Sequence, residues 1–348
     1  MLFHVSAWYG SHTDADSRCP DCHASDGSYQ RLFVAVSRPG GPDLVSLGPG
    51  TVPTQSMASM QFDAGQWHAY TVGLENGTTL RLDEVGVIWY RRPSTLHAPL
   101  STPTESLTHF INSETRWFLA GLWECLPRPM VNRPYAGSFA SLKAVQLQTA
   151  ARLGFTVPPT CMGNQPAAIQ QRWQEAQGQL ALKGFAQALV TLDDGAERHL
   201  YTSPVTAADL AETASLQACP SIWQHYVTKQ VEIRVTTFGH TVLAAEIHSQ
   251  QSAISRHDWR RYDLEHTPYV PHTLPLDMQR RCIQLLQTFG LFYGAMDFIL
   301  QEDGTYVFLE LNPFGQWAWI QDLCGLPLAE AHCELFRQLI AGHFQYAC

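Results

Sequence analysis

Positive charge is scarce in this chain: its 348 residues carry 22 lysines and arginines against 31 aspartates and glutamates, a formal charge of -9 at pH 7. Sequence-independent nucleic-acid binding needs lysine and arginine to neutralise phosphates, and no basic tail supplies them, so a nucleic-acid partner is not expected. Long apolar runs are also missing. Nothing approaches the roughly 20 residues that cross a bilayer, and MLFHVSAWYGSHTDADS has no charged segment ahead of a long apolar stretch, as an export signal would. We expect a cytoplasmic protein with no membrane partner. A disulfide framework is absent too: the nine cysteines are odd in number and scattered along the chain. CPDCH at Cys19 to His23 matches the spacing of c-type haem attachment, but that chemistry requires export, and neither haem nor zinc is expected there. There is no internal repeat or low-complexity tract.

What the chain does have is material for cores. Hydrophobic residues reach 45% and charged residues only 15%, a globular balance, and the length allows two or three packed lobes. The first hundred residues alternate short apolar runs with SRPGGPD and LGPGTVP and end in the strand-like VGVIWY, which reads as a small α/β domain. Between Thr104 and Leu126, apolar residues recur at Leu107, Phe110, Ile111, Phe118, Leu119, Leu122 and Trp123, which predicts a helix stopped by Pro127. A second helix is expected over 138–153, closed by Gly154 and followed by extended FTVPPT. Strands are expected at 180–183, 222–227, 231–238 and 242–247, with Gly239 and His240 turning the last two. A helix at 276–289, a hairpin at 295–311 and a helix at 328–340 complete the reading.

The most informative stretch is AMDFILQEDGTYVFLELNPFGQW, residues 295–317. Asp303-Gly304 is a strong two-residue hairpin signal, and counting outward from it sets Asp297 opposite Glu310. Opposed carboxylates repel unless something neutralises them, and a divalent cation would. Asn312 shares a strand face with Glu310, so Asp297, Glu310 and Asn312 can present hard oxygen ligands to one magnesium ion. Two solvated acids on an exposed sheet face is the plainer alternative. The apolar run of Phe298, Ile299, Val307, Phe308 and Leu309 around them weighs against it.

This hairpin resembles the end of the ATP-grasp fold. The likeness extends to WYRRPS at Trp89 to Ser94, the helix around Lys143, the LALKGF strand, QHYVTKQVEIRV and the DWRR of Asp258 to Arg261. Together these look like the graspetide, or microviridin-type, peptide ligases, over roughly residues 85–320. The resemblance implies an α/β fold with α+β lobes: an N-terminal pre-ATP-grasp-like domain at 1–127, a central lobe with the first ATP-contacting lysines at 128–220, and a C-terminal ATP-grasp lobe with the metal site at 221–348. Its cofactors would be ATP and Mg2+. Lys143 and Lys183 would contact ATP phosphates, and Gln224, His225, Tyr226 and Val227 would hold adenine. His225 stands where family members often carry an acid. Glu232 would approach the ribose. Arg234 would address the transferred phosphate, and Arg256 and Arg260 would add anion contacts, with Asp258 as an orienter. Its planar fork suits arginine to phosphate oxygens.

The activity implied is ATP-dependent conversion of carboxylates to acyl phosphates, then attack by a hydroxyl or amine, which leaves ester or amide crosslinks in a ribosomally made precursor peptide. The partners implied are that peptide's leader and core and a second copy of the chain in a homodimer. Arg91 and Arg92 are candidates for a local basic patch against an acidic peptide, although Trp89 and Tyr90 beside them suit packing. Two other readings remain: an ATP-grasp ligase that joins an amino acid to a small molecule or a protein C-terminus, and a nucleotide-binding regulator without turnover.

Overall fold

The computed structural model describes residues 32–38, 41–47, 52, 56–73, 77–91, 104–186, 189–191, 197–199, 201–261 and 263–344. The Cys19 to His23 cluster and Arg92 lie outside them. Among the described residues no helix is long and apolar enough to cross a membrane, and Cys125, Cys161, Cys219, Cys282, Cys324 and Cys333 are free thiols.

Chain contacts divide the molecule into two compact units, one built from 1–138, 289–293 and 329–348 and the other from 139–288 and 294–328. In the first unit a four-stranded sheet runs in the order Gly41–Leu47, Leu32–Arg38, Val87–Trp89, Met130–Val131. The predicted strand in VGVIWY is central here, fully buried at Val87 and Ile88. The helix Glu105–Cys125 forms where the apolar spacing placed it, with the Thr104 side chain accepting from the Leu107 N–H at its start. Leu119, Leu122, Trp123, Leu126, Ile88 and Met130 make its core with Tyr70 and Val72 of an antiparallel three-stranded sheet. Trp89 and Tyr90 pack inside this unit: Trp89 stands edge-on to His332 at 4.4 Å, and Tyr90 meets Trp123 at 6.3 Å. Arg91 is buried with its guanidinium 5.2 Å from the Trp89 ring centroid. It is a packing residue rather than part of an open basic patch.

In addition to the antiparallel pair Leu189–Thr191 and Glu197–His199, the second unit holds two larger sheets. The smaller runs Ser203–Pro204, Leu180–Lys183, Ser221–His225, Thr160–Gly163, and the larger runs Tyr269–His272, Thr241–Ile247, Val231–Phe238, Tyr293–Leu300, Tyr306–Asn312. Gly239 takes φ +58 in the turn that the sequence marked. The helix expected at 138–153 is instead two, Pro134–Ala140 and Lys143–Arg152, broken where Leu142 becomes extended. The break is filled by Gln146, whose side-chain amide donates to the Ala140 carbonyl. The same buried amide also exchanges two hydrogen bonds with the Leu311 backbone, at 2.7 and 3.0 Å, and so fastens the second helix to the last strand.

Asp303-Gly304 does not form the two-residue loop that the dipeptide predicts. Gln301 N–H donates to Thr305 and Gly304 N–H donates to Gln301, each at 3.0 Å, with Gly304 at φ +84, which makes a three-residue loop. That offsets the register by one, and Leu300 faces Tyr306. A bulge at Leu309 then restores it, so that Asp297 faces Glu310 after all. The bulge sits where Phe308 N–H bonds Thr156, which pulls this edge toward the segment that precedes the small sheet.

Candidate active site

The break before Lys143 has a chemical consequence. It places a lysine in the first turn of a helix, the end at which unpaired N–H groups disfavour a cation. An anion answers it: Lys143 Nζ lies 2.7 Å from Glu310 Oε2. Because Gln146 ties this helix to Leu311, the neighbour of Glu310 in sequence, the pair is fixed at both ends.

Arg234, on the strand Val231–Phe238, reaches Asp297 on the adjoining strand. Its Nη1 lies 2.9 and 3.0 Å from the two carboxylate oxygens, and its Nη2 donates to the Gln316 carbonyl at 3.2 Å. Lys183, at the end of its strand, donates to the Gln224 side-chain oxygen at 2.8 Å, and Gln224 in turn donates to Thr160. Arg260 is clamped by Asp258, with Nε at 2.9 Å, while Asp258 also accepts from the Thr202 backbone. These groups act on one another. Burial raises Glu310, but the charges of Lys143, Arg260 and Lys183 overcome that and hold it at about 2. Burial, opposed by Glu310 and Asp258 and aided by Arg260 and Lys143, brings Lys183 down to about 8. Asp297 is raised, first by burial and then by Glu310, although Arg234 and Arg260 draw it down. The arrangement is a cluster of four cations, Lys143, Lys183, Arg234 and Arg260, around three carboxylates.

Other expected residues are placed differently. Gln224 is buried and holds Lys183 rather than presenting its amide outward. The backbone N–H groups of His225 and Tyr226 are taken by Pro159 and Gln179, each at 2.9 Å. Val227 follows directly in the same segment. Glu232 is buried on the Arg234 strand with Lys229 Nζ at 2.7 Å, a partner that sequence reasoning passed over. Arg256 is exposed and its charge acts on Tyr226 and His257, which share a 2.8 Å hydrogen bond. Asn312 uses its side-chain oxygen to accept from Phe314 N–H at 3.0 Å, a turn that starts the NPFG segment.

No family model matches the sequence, and no curated protein does. Solved structures do match. The macrocyclase MdnC of Microcystis aeruginosa, solved with its precursor peptide MdnA, is 28% identical, with a TM-score of 0.71 over 83% of this chain and 89% of that one. A RiPP-associated ATP-grasp ligase of Chryseobacterium gregarium, solved with ADP and a leader and core peptide, is 25% identical, with a TM-score of 0.76 over 86% and 89%. The macrocyclase MdnB of Microcystis aeruginosa is 27% identical, with a TM-score of 0.67 over 83% and 89%. The chain is an ATP-grasp ligase, similar to these peptide-modifying enzymes.

The ligase's carboxylate pair fits a cation. Asp297 and Glu310 are opposed across a strand pair, each now balanced by one basic side chain, and the rise in Asp297 caused by burial and Glu310 is the strain that a divalent ion would relieve. Two carboxylates and an amide oxygen are few ligands for a closed metal cage. They suit magnesium in a nucleotide site, where substrate phosphates complete the shell. The four cations outnumber the three carboxylates by one, a local positive surplus that favours an anion.

Proposed function

We propose that this ligase uses ATP to activate side-chain carboxylates of a ribosomally made precursor peptide and closes them onto Ser or Thr hydroxyls as esters or onto Lys amines as amides. In the first step a carboxylate oxygen attacks the terminal phosphorus, the bond to ADP breaks, and an acyl phosphate forms. In the second a hydroxyl or amine attacks the acyl carbon, phosphate leaves, and the nucleophile gives up its proton. A carboxylate is a poor electrophile at neutral pH, and phosphate replaces its oxygen with a better leaving group.

Positioning and charge stabilisation are what such a transfer asks of the protein. Lys143 and Lys183 would hold the ATP phosphates, and Arg234 the phosphoryl group in transit, with Arg260 held by Asp258 for the carboxylate or its phosphate. Asp297, Glu310 and Asn312 would hold magnesium, which supplies neutralisation of the triphosphate's charge. Gln224, His225, Tyr226 and Val227 would line the adenine end, Glu232 would lie near the ribose, and Arg256 would serve as an outlying anion contact. We further propose the three-part division at residues 127 and 220, a homodimer, and a cytoplasmic site of action.

The observation that carries this reading is the surplus of basic side chains gathered around two opposed carboxylates. Its support in kind comes from MdnC and the Chryseobacterium ligase, whose solved complexes contain precursor peptide. The test is mass spectrometry of a short Thr-, Ser-, Asp- and Glu-rich peptide encoded beside this gene, incubated with protein, ATP and magnesium. The expected result is the loss of one water per ring closed, dependent on both ATP and magnesium. An unaltered peptide, with ATP consumed only when a free amino acid is supplied, would overturn it.

A further inference from the structure

Two motif residues have no part in the chemistry above: the tryptophan inside DWRR and the glycine inside NPFGQW. Both touch Arg234. Its guanidinium carbon lies 5.7 Å from the Trp259 ring centroid, within cation–π reach. The ring is itself immobilised: Trp259 is buried and stacks on Trp319 at 5.0 Å and 26°, and Trp319 meets Tyr269 edge-on at 5.6 Å. At Gly315, a Cβ would fall 2.9 Å from Arg234 Nη2 and 2.7 Å from the Ala295 Cβ, closer than side chains approach one another. This glycine serves close approach to the guanidinium, not backbone freedom.

We propose that Trp259 and Gly315 are positioning residues that form a slot for the Arg234 guanidinium and hold it aimed at the terminal phosphate of ATP. The inference rests on the reading of Arg234 given above. Asp297 and the Gln316 carbonyl bond the guanidinium at its edge. If Asp297 takes up a cation, that edge contact weakens, whereas the ring contact does not depend on the carboxylate. A positively charged group needs such a second support to stay beside a metal ion. One tripeptide then serves two arginines: Asp258 clamps Arg260, and Trp259 carries Arg234.

Calorimetric titration with MgADP and with the magnesium complex of β,γ-imido-ATP tests this, because the two ligands differ in the terminal phosphate. Arg234→Gln serves as the reference, Trp259→Leu and Gly315→Ala disturb the slot, and Trp259→Phe keeps a ring. Trp259→Leu is expected to reduce the preference for triphosphate over diphosphate about tenfold. Gly315→Ala should act in the same direction, Trp259→Phe should retain most of the preference, and MgADP affinity should stay near wild type in the Trp259 and Gly315 variants. If Arg234→Gln loses the preference while Trp259→Leu and Gly315→Ala keep it, the slot is wrong and the role of Arg234 stands. An unchanged preference in Arg234→Gln sinks the reading of Arg234 itself. Equal losses for both ligands in the slot variants mean a merely structural role and overturn the proposal. Should Trp259→Leu fail to melt cooperatively, Gly315→Ala and Trp259→Phe decide the matter by the same ratio.

Discussion

Two lysine–glutamate pairs of the same length, 2.7 Å, stand in the second unit, and their electrostatics are opposite. Lys229 and Glu232 are sealed, with side chains 4% and 8% exposed, and burial raises the glutamate despite its lysine. Lys143 and Glu310 are 22% and 31% exposed, and the glutamate is held at about 2. Distance does not separate them; their neighbours do. Glu232 feels one lysine, with Asp258 pushing the other way, whereas Glu310 feels Lys143, Arg260 and Lys183 together. The first pair is closed and balanced. The second lies in an excess of positive charge that opens toward solvent, and its partners can be exchanged for a cation on one side and phosphates on the other.

Breaking each pair should therefore do different things. The largest effect expected is on turnover: Glu310→Gln should lower kcat by a factor on the order of 10²–10³ with the fold intact, measured as ATP-dependent peptide dehydration together with a thermal melt. Wild-type turnover in that variant would make the Glu310 pair as structural as the other. Next comes Lys229→Met, which leaves Glu232 uncompensated in the interior. Its cost in urea denaturation should be about 3–5 kcal/mol, against under about 1 kcal/mol for Lys143→Met. Lys143→Met should instead weaken MgATP binding.

Burial brings Lys183 down to about 8 from the ordinary 10.5, so its charge is full only well below that value and half lost at it. MgATP affinity should accordingly fall as pH rises through about 8, and Lys183→Arg should flatten the profile between pH 7 and about 10. The smallest effect is in acid stability. The folded pKa of Glu310 is depressed from 4.5, so its stabilisation is present above 4.5 and is lost as pH falls toward about 2. Glu232 is raised, and its ionisation costs stability as pH climbs. Acidification should hurt Glu310→Gln less than wild type, and Glu232→Gln more, in chemical melts at pH 3 to 7.

Much of the second unit was legible because its strands announce themselves: 180–183 and 231–238 fall where the β-rich runs do. The carboxylate hairpin was legible for an incomplete reason. The dipeptide promised a two-residue loop, the chain made a three-residue one, and the bulge at Leu309 cancelled the offset. A bulge is set by what the strand edge meets, here Thr156, and local sequence does not carry that. The helix break before Lys143 was hidden likewise, since it depends on Gln146 bonding a strand 165 residues away. Resemblance named Arg234, Arg256 and Arg260 together, and only folding shows that Arg234 and Arg260 are paired with carboxylates while Arg256 is exposed. Lys229, Trp259 and Gly315 left no periodic or spacing signal. Their roles come from packing against charges that the sequence places far apart.

Turnover by this ligase is expected to depend on acidic side chains from adjoining strands binding the cation that accompanies the nucleotide. Titrating the β,γ-imido analogue of ATP into wild type and into an Asp297→Asn, Glu310→Gln double variant, with and without magnesium, measures this directly. Magnesium is expected to strengthen binding in wild type, and the double variant is expected to lose this dependence. A double variant that binds the nucleotide with the same magnesium dependence as wild type would contradict this expectation.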